Sequence, residues 1–181
     1  MALNNYSYEV SYRDIQYPRV ELKTGKLIFI LPFGYSPDAF YEKHSGWIYK
    51  KINFIKGCLD SAKDKVLADR SDGEFKRLIF DTIEKVPLNL KIEIGRVYFR
   101  KMRTKWASLS AVKNLTVNSF MKYLPQRLIE YIIFHEIVHI IEKKHNDRFW
   151  KIIEKRYKDY QGLEKELFEY WFIISSMEIS L

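Results

Sequence analysis

Hydrophobic and polar positions change period several times along the chain. Tyr6, Tyr8, Val10 and Tyr12 alternate with Ser7, Glu9, Ser11 and Arg13, the two-residue period of a strand. Val20 and Leu22 lead into Thr24-Gly25 and then Leu27 to Leu31, which predicts a hairpin. Ser36-Pro37-Asp38 opens a helix, with a capping residue first and proline in the first helical position. Tyr41, Ile48, Ile52, Ile55 and Leu59 keep helical spacing behind it, with Gly46 and Gly57 as points where it could break. Ser71-Asp72-Gly73-Glu74 is a capping box. The apolar stripe Phe75, Leu78, Ile79, Thr82, Ile83 and Val86 follows it, and Pro87 stops that helix.

From Lys91 to Asn118 the pattern returns to strands. Val97, Phe99 and Lys101 alternate with Tyr98, Arg100 and Met102, and Lys113-Asn114 makes a turn before Leu115-Thr116-Val117. Pro125 opens a helix reaching about Lys143, apolar nearly all round through Leu128, Ile129, Ile132, Ile133, Phe134, Ile137, Val138, Ile140 and Ile141. Such a helix belongs in a core. Asn146 or Asp147 caps a fourth helix, and Gly162 separates it from a last one carrying Leu163, Leu167, Phe168, Trp171 and Ile174. Strands, helices, strands, helices is an α+β order. We expect one domain over 1–181, with a strand and helix part at 1–90 and a core at 91–181 in which a mixed or antiparallel sheet packs on the buried helix.

Composition agrees with a packed chain. Of 181 residues, 47% are apolar and 16% aromatic, enough to exclude wholesale disorder. The one cysteine, Cys58, excludes an internal disulfide and points to a reducing compartment. Met1 to Tyr12 lacks the pattern of a signal peptide, and no apolar run is long enough for a membrane span. The expectation is therefore a cytoplasmic protein without a membrane partner.

The net charge of +8 is concentrated. Between Lys91 and Arg127 stand nine basic residues and one acid, Glu93. Arg96, Arg100, Lys101, Arg103 and Lys105 form its densest part. They read either as a solvated strand face or as a site for nucleic acid or a nucleotide. Tyr98 and Trp106 could stack on bases or belong to the core.

The chemistry lies in His135-Glu136-Ile137-Val138-His139. Two histidines four apart share one helix face, so both imidazoles can reach one ion. Glu136, next to the first, is placed to accept a proton from water acidified by that ion. This H-E-x-x-H spacing is a signature of zinc proteases. His145, ten residues after His135, has the spacing of the third metzincin ligand, although position 142 is Glu142 rather than glycine. A carboxylate on the last helix, Glu164, Glu166 or Glu169, is the other choice. The site residues are thus His135, His139 and His145 for one zinc ion, and Glu136 as catalytic base.

The stretch from His135 to Trp150, ending in Asn-Asp-Arg-Phe-Trp, resembles the YgjP-like metallopeptidase-like family, with H-E-x-x-H-x5-H followed shortly by Phe-Trp. Arg100 to Ser110, with Trp106-Ala-Ser-Leu-Ser, resembles that family's basic stretch ending in W-G-S-C-S, and Asn118 and Pro125 fall where the family has Asn and Pro. Ala107 and Leu109 depart from its usual Gly and Cys. The likeness is strongest over 97–158, while the strands at 6–31 agree with the family's strand-rich start. SprT and WLM proteases share the zinc segment. The resemblance implies a zincin-like fold, the three histidines as ligands and Glu136 as base.

The function expected is a zinc metallopeptidase acting on a polypeptide or small molecule. One alternative is a metal-dependent nucleotide phosphoanhydride hydrolase, since the family has been proposed to include nucleotide pyrophosphatases. The other is a nucleic-acid-binding module with a non-catalytic zinc site.

Overall fold

The computed structural model describes residues 8–23, 26–86 and 93–178. Tyr6 and Ser7, the Thr24-Gly25 turn, Pro87 and the expected return to strands at Lys91 lie outside the described residues. The chain is α+β and forms two compact units, residues 1–64 with 171–181, and residues 65–170.

The first unit holds strands β1 (Tyr8–Arg13), β2 (Arg19–Lys23) and β3 (Lys26–Pro32) and helix α1 (Pro37–Ala62). Its sheet has the order β1-β3-β2. The hairpin forms as the sequence suggests, with β2 antiparallel to β3 and Lys23 opposite Lys26. The parallel pairing of β1 with β3 has no local signal in the sequence. Ser36 caps α1 by accepting from the Ala39 N–H. The helix runs unbroken through Gly46 and Gly57, both in open space. Leu27, Phe29 and Leu31 of β3 bury against Phe40, Ile48 and Ile52 of α1. Cys58 is fully buried on the same helix, as a small apolar residue would be.

The second unit begins with helix α2 (Asp72–Glu84), closed by both halves of the Ser71–Glu74 capping box. Strands β4 (Val97–Arg100), β5 (Ala107–Leu109) and β6 (Leu115–Asn118) follow, then helices α3 (Gln126–Val138), α4 (Asp147–Arg156) and α5 (Tyr160–Glu178), of which residues 160–170 belong to this unit. This sheet is mixed, in the order β4-β6-β5, with β4 parallel and β5 antiparallel to the central β6. On β4, Phe99 turns inward to meet Phe75 and Phe80 of α2 edge-on. Tyr98 and Arg100 alternate outward. The fully buried Leu115, Val117, Leu128, Ile129, Ile133 and Val138 carry the core onto α3, the all-round apolar helix.

Two boundaries differ from the sequence reading. Helix α3 ends at Val138, not near Lys143. The chain tightens there through i to i−3 bonds, from His139 N–H to Glu136 C=O, Ile140 to Ile137 and Ile141 to Val138. Ile140 and Ile141 continue the apolar period past the true end, so the pattern overruns. Gly162 is the third residue of α5 and does not precede it. Its N–H donates to the Asp159 carboxylate at 3.2 Å, so Asp159 begins the helix.

Asn118 shapes the loop into the site. Fully buried, it donates to the carbonyls of Met102 and Lys105, both at 2.8 Å. Its side-chain oxygen accepts from the N–H groups of Met102 and Phe120. Four bonds to backbone satisfy this amide and hold residues 102–105 in one path toward β5.

Candidate metal centre

His135 and Glu136 lie in the last turn of α3, and His139 is the residue that closes it. The tightened turn brings the chain back so that His145 faces them. One ligand atom from each of the three histidines lies within 4.8 Å of the others, so the three could hold a metal ion. The Nε2 atoms of His135 and His145 are 2.9 Å apart. Glu164, Glu166 and Glu169 do not join this group. Glu164 comes nearest, 3.7 Å from His135 Nδ1, with an oxygen that accepts the Tyr131 hydroxyl. Glu166 and Glu169 are engaged by Lys65 at 3.1 and 3.0 Å.

Packing fixes the rings. Phe149, fully buried, stands 4.9 Å from His135 and 4.7 Å from each of His139 and His145, centre to centre. Asn146 places Phe149 by accepting its N–H at the start of α4. Trp150 stacks on both His145 and Tyr160. His139 Nδ1 meets the Glu142 carbonyl at 3.1 Å, an outer bond that orients the ring and turns its other nitrogen to the cluster.

The electrostatics suit a cation. Burial, aided by repulsion from His139 and His145, lowers the His135 pKa to about 3. Burial and His139 also lower that of His145. These imidazoles are therefore neutral, the form in which histidine ligates a metal. Burial raises the Glu136 carboxyl above its ordinary value, opposed by His139, the Leu109 N–H and Lys105. The donor set fits a zinc-type ion: three imidazole nitrogens with a carboxylate alongside.

Glu136 reaches across to the sheet, where its carboxylate accepts the Leu109 N–H at 3.0 Å. Strand β5 is an edge of its sheet. Trp106 C=O accepts from Asn118 N–H, and Ser110 N–H donates to Asn114 C=O, so even-numbered residues bond inward. By alternation, Ala107 and Leu109 turn their backbone groups to the open edge. A cleft of about 690 Å³ runs between this edge and the histidines, lined by residues 105–111 and by Tyr131, Glu136, Lys143 and Glu164 among others.

Arg96, Arg100, Lys101, Arg103 and Lys105 are all exposed. Lys105 lines the cleft, whereas the other four do not. Tyr98 is exposed and Trp106 half-buried on the cleft wall. The roles of Leu109, Phe149 and Glu142 were not legible from spacing, although Phe149-Trp150 belongs to the stretch that carries the family resemblance.

No curated protein matches the chain. Among solved structures it is similar to the metallopeptidase zymogen of Methanocaldococcus jannaschii jannalysin, with 22% identity over 55% of this chain and 91% of that one and a TM-score of 0.43. The pattern of the YgjP-like metallopeptidase domain matches residues 59–170. That span takes in α2, reaches the last residue of the second unit, and leaves residues 6–31 outside. It covers more than half of the chain, which therefore belongs to the YgjP-like metallopeptidase family.

Proposed function

We propose that the protein is a zinc-dependent peptide hydrolase in which His135, His139 and His145 hold one ion and Glu136 is the general base. The observation that carries this reading is the convergence of three imidazoles beside a carboxylate that is itself tied to an open sheet edge. Zinc, when bound, supplies Lewis acidity that polarises a carbonyl and acidifies water. Glu136 takes a proton from the attacking water and can return it to the leaving amine. The Leu109 N–H holds the carboxylate in place for both transfers. A substrate strand would pair with the outward N–H and C=O of Ala107 and the C=O of Leu109, the Leu109 N–H being taken by Glu136, which orients the scissile bond along the cleft. Phe149 and the Glu142 carbonyl keep the imidazoles from turning away.

The exposed Arg96, Arg100, Lys101, Arg103 and Lys105 favour a second reading, nucleotide phosphoanhydride hydrolysis or nucleic-acid binding through that segment. One screen separates the two. Zinc-loaded protein and its Glu136→Gln variant are offered unfolded proteins and nucleoside triphosphates. The first reading expects peptide-bond cleavage by the parent that the variant loses. Phosphate release from nucleotides with the proteins left intact would replace it.

A further inference from the structure

Three lysines stand around the cleft: Lys105 before β5, Lys113 in the turn after it, and Lys143 beyond α3. All three are exposed, and no salt bridge joins any of them to another of the described residues. The carboxylates that line the cleft are Glu136 and Glu164. Both are engaged, Glu136 by the Leu109 N–H and Glu164 by the Tyr131 hydroxyl. None of the three ammonium groups is paired directly with a carboxylate of the cleft wall, although the charge of Lys105 acts on Glu136.

Lys113 adds an independent sign. Its φ is +59°, and it is the one residue other than glycine with positive φ among those described. This left-handed backbone favours glycine or asparagine, because a side chain there crowds the following carbonyl. The turn enforces it: Lys113 N–H donates to Ser110 C=O, Lys113 C=O accepts from Gly95, and Asn114 N–H donates to the Ser110 hydroxyl. A long cationic side chain therefore sits where the backbone would be easier without one, and it lines the cleft.

We propose that the cleft selects acidic polypeptide segments, with Lys105 and Lys113 reading carboxylates toward the two ends of β5 and Lys143 reading one from the opposite wall. This rests on the peptide-hydrolase reading for its geometry, since a strand laid along β5 runs past both lysines. Lysine suits the task as a mobile point charge that tolerates Asp or Glu in several positions. Repulsion of basic segments contributes as much to the choice as attraction of acidic ones.

The test uses binding and cleavage separately. Zinc-loaded Glu136→Gln protein is titrated with three labelled peptides of equal length and matched apolar residues, flanked by Glu, Gln or Lys. Rim contacts of a few-fold each should make the Glu peptide bind about tenfold or more tighter than the Lys peptide at low salt. That ratio should shrink with ionic strength and fall toward one when Lys105, Lys113 and Lys143 are changed to Gln. Equal affinities, or a ratio that survives the triple change, overturn the proposal. So does ATP binding that the triple change abolishes while the peptides stay undiscriminated, which assigns the lysines to phosphate. In parallel, the zinc-loaded parent is given a proteome-derived peptide mixture, and cleaved bonds should show Asp and Glu enriched nearby. Discriminated binding with no cleavage at all would leave the acidic preference standing and remove the peptidase reading.

Discussion

The Glu136 carboxylate and the Leu109 N–H are joined across the cleft at 3.0 Å. One residue belongs to the end of α3 and the other to the sheet edge, so the bond ties the proposed base to the strand on which substrate would lie. Two elements rather than one therefore set where the carboxylate stands. Positioning of this kind is what general base catalysis needs.

Glu136→Gln keeps the shape and can still meet Leu109 through its amide, but it cannot take up a proton. Turnover should fall by at least about 100-fold, the lower end of what a positioned base supplies. Bound metal should be unchanged. Steady-state rates beside metal content check this, and a variant within threefold of the parent would remove Glu136 from the role.

Phe149 touches all three imidazoles and is fully buried. Phe149→Ala should cost about 3–5 kcal/mol through the cavity it opens, with weaker metal affinity because the rings lose their support. Phe149→Leu should lose less of both. Denaturant unfolding and chelator competition measure the two effects. Unaltered metal affinity in a folded Ala variant would show that the ring packing does not matter to the site.

Lys113→Gly relieves the left-handed strain and should raise stability by about 0.5–1 kcal/mol, net of the entropy that glycine adds to the unfolded chain. Its discrimination between acidic and basic peptides should fall at the same time. Thermal unfolding reads the first effect. A loss of stability would mean that the lysine side chain makes a contact worth more than the strain.

Glu166 gives a pH dependence. Burial pushes its carboxyl up, but hydrogen bonds from Arg127 and Lys65 outweigh this and hold it below the ordinary 4.5. Its stabilisation is therefore complete above about pH 4.5 and is lost as pH falls through the folded value. Glu166→Gln should destabilise the protein by about 1–2 kcal/mol at neutral pH, discounted for the exposure of Arg127. The gap to the parent should close below pH 4.5. A gap constant with pH would show that charge is not its source.

Local chemistry was legible in the sequence where the signal is local. Ser36, Ser71 and Asn146 each cap the helix expected of them, and the apolar run on α3 is buried as its composition requires. The three histidines could be grouped because two share a helix face and the third follows closely. Bonds made across elements left no such trace. Leu109 donates to Glu136 through its backbone, which any residue but proline could do. The parallel pairs β1–β3 and β4–β6 join distant segments, and the end of α3 is hidden because Ile140 and Ile141 extend its apolar period. Glycine misled at Gly162, which lies inside α5 and does not precede it, whereas α1 runs through Gly46 and Gly57 because a glycine weakens a helix by only about 1 kcal/mol and need not end it.

The central claim is that His135, His139 and His145 form one metal site with Glu136 beside it and not within it. Metal content by elemental mass spectrometry, on parent and variants purified alike, tests it most directly. The expected result is one zinc per parent chain, strong depletion in His135→Ala, His139→Ala and His145→Ala, and full occupancy in Glu136→Gln and Glu164→Gln. Full occupancy in His145→Ala together with depletion in Glu164→Gln would contradict it.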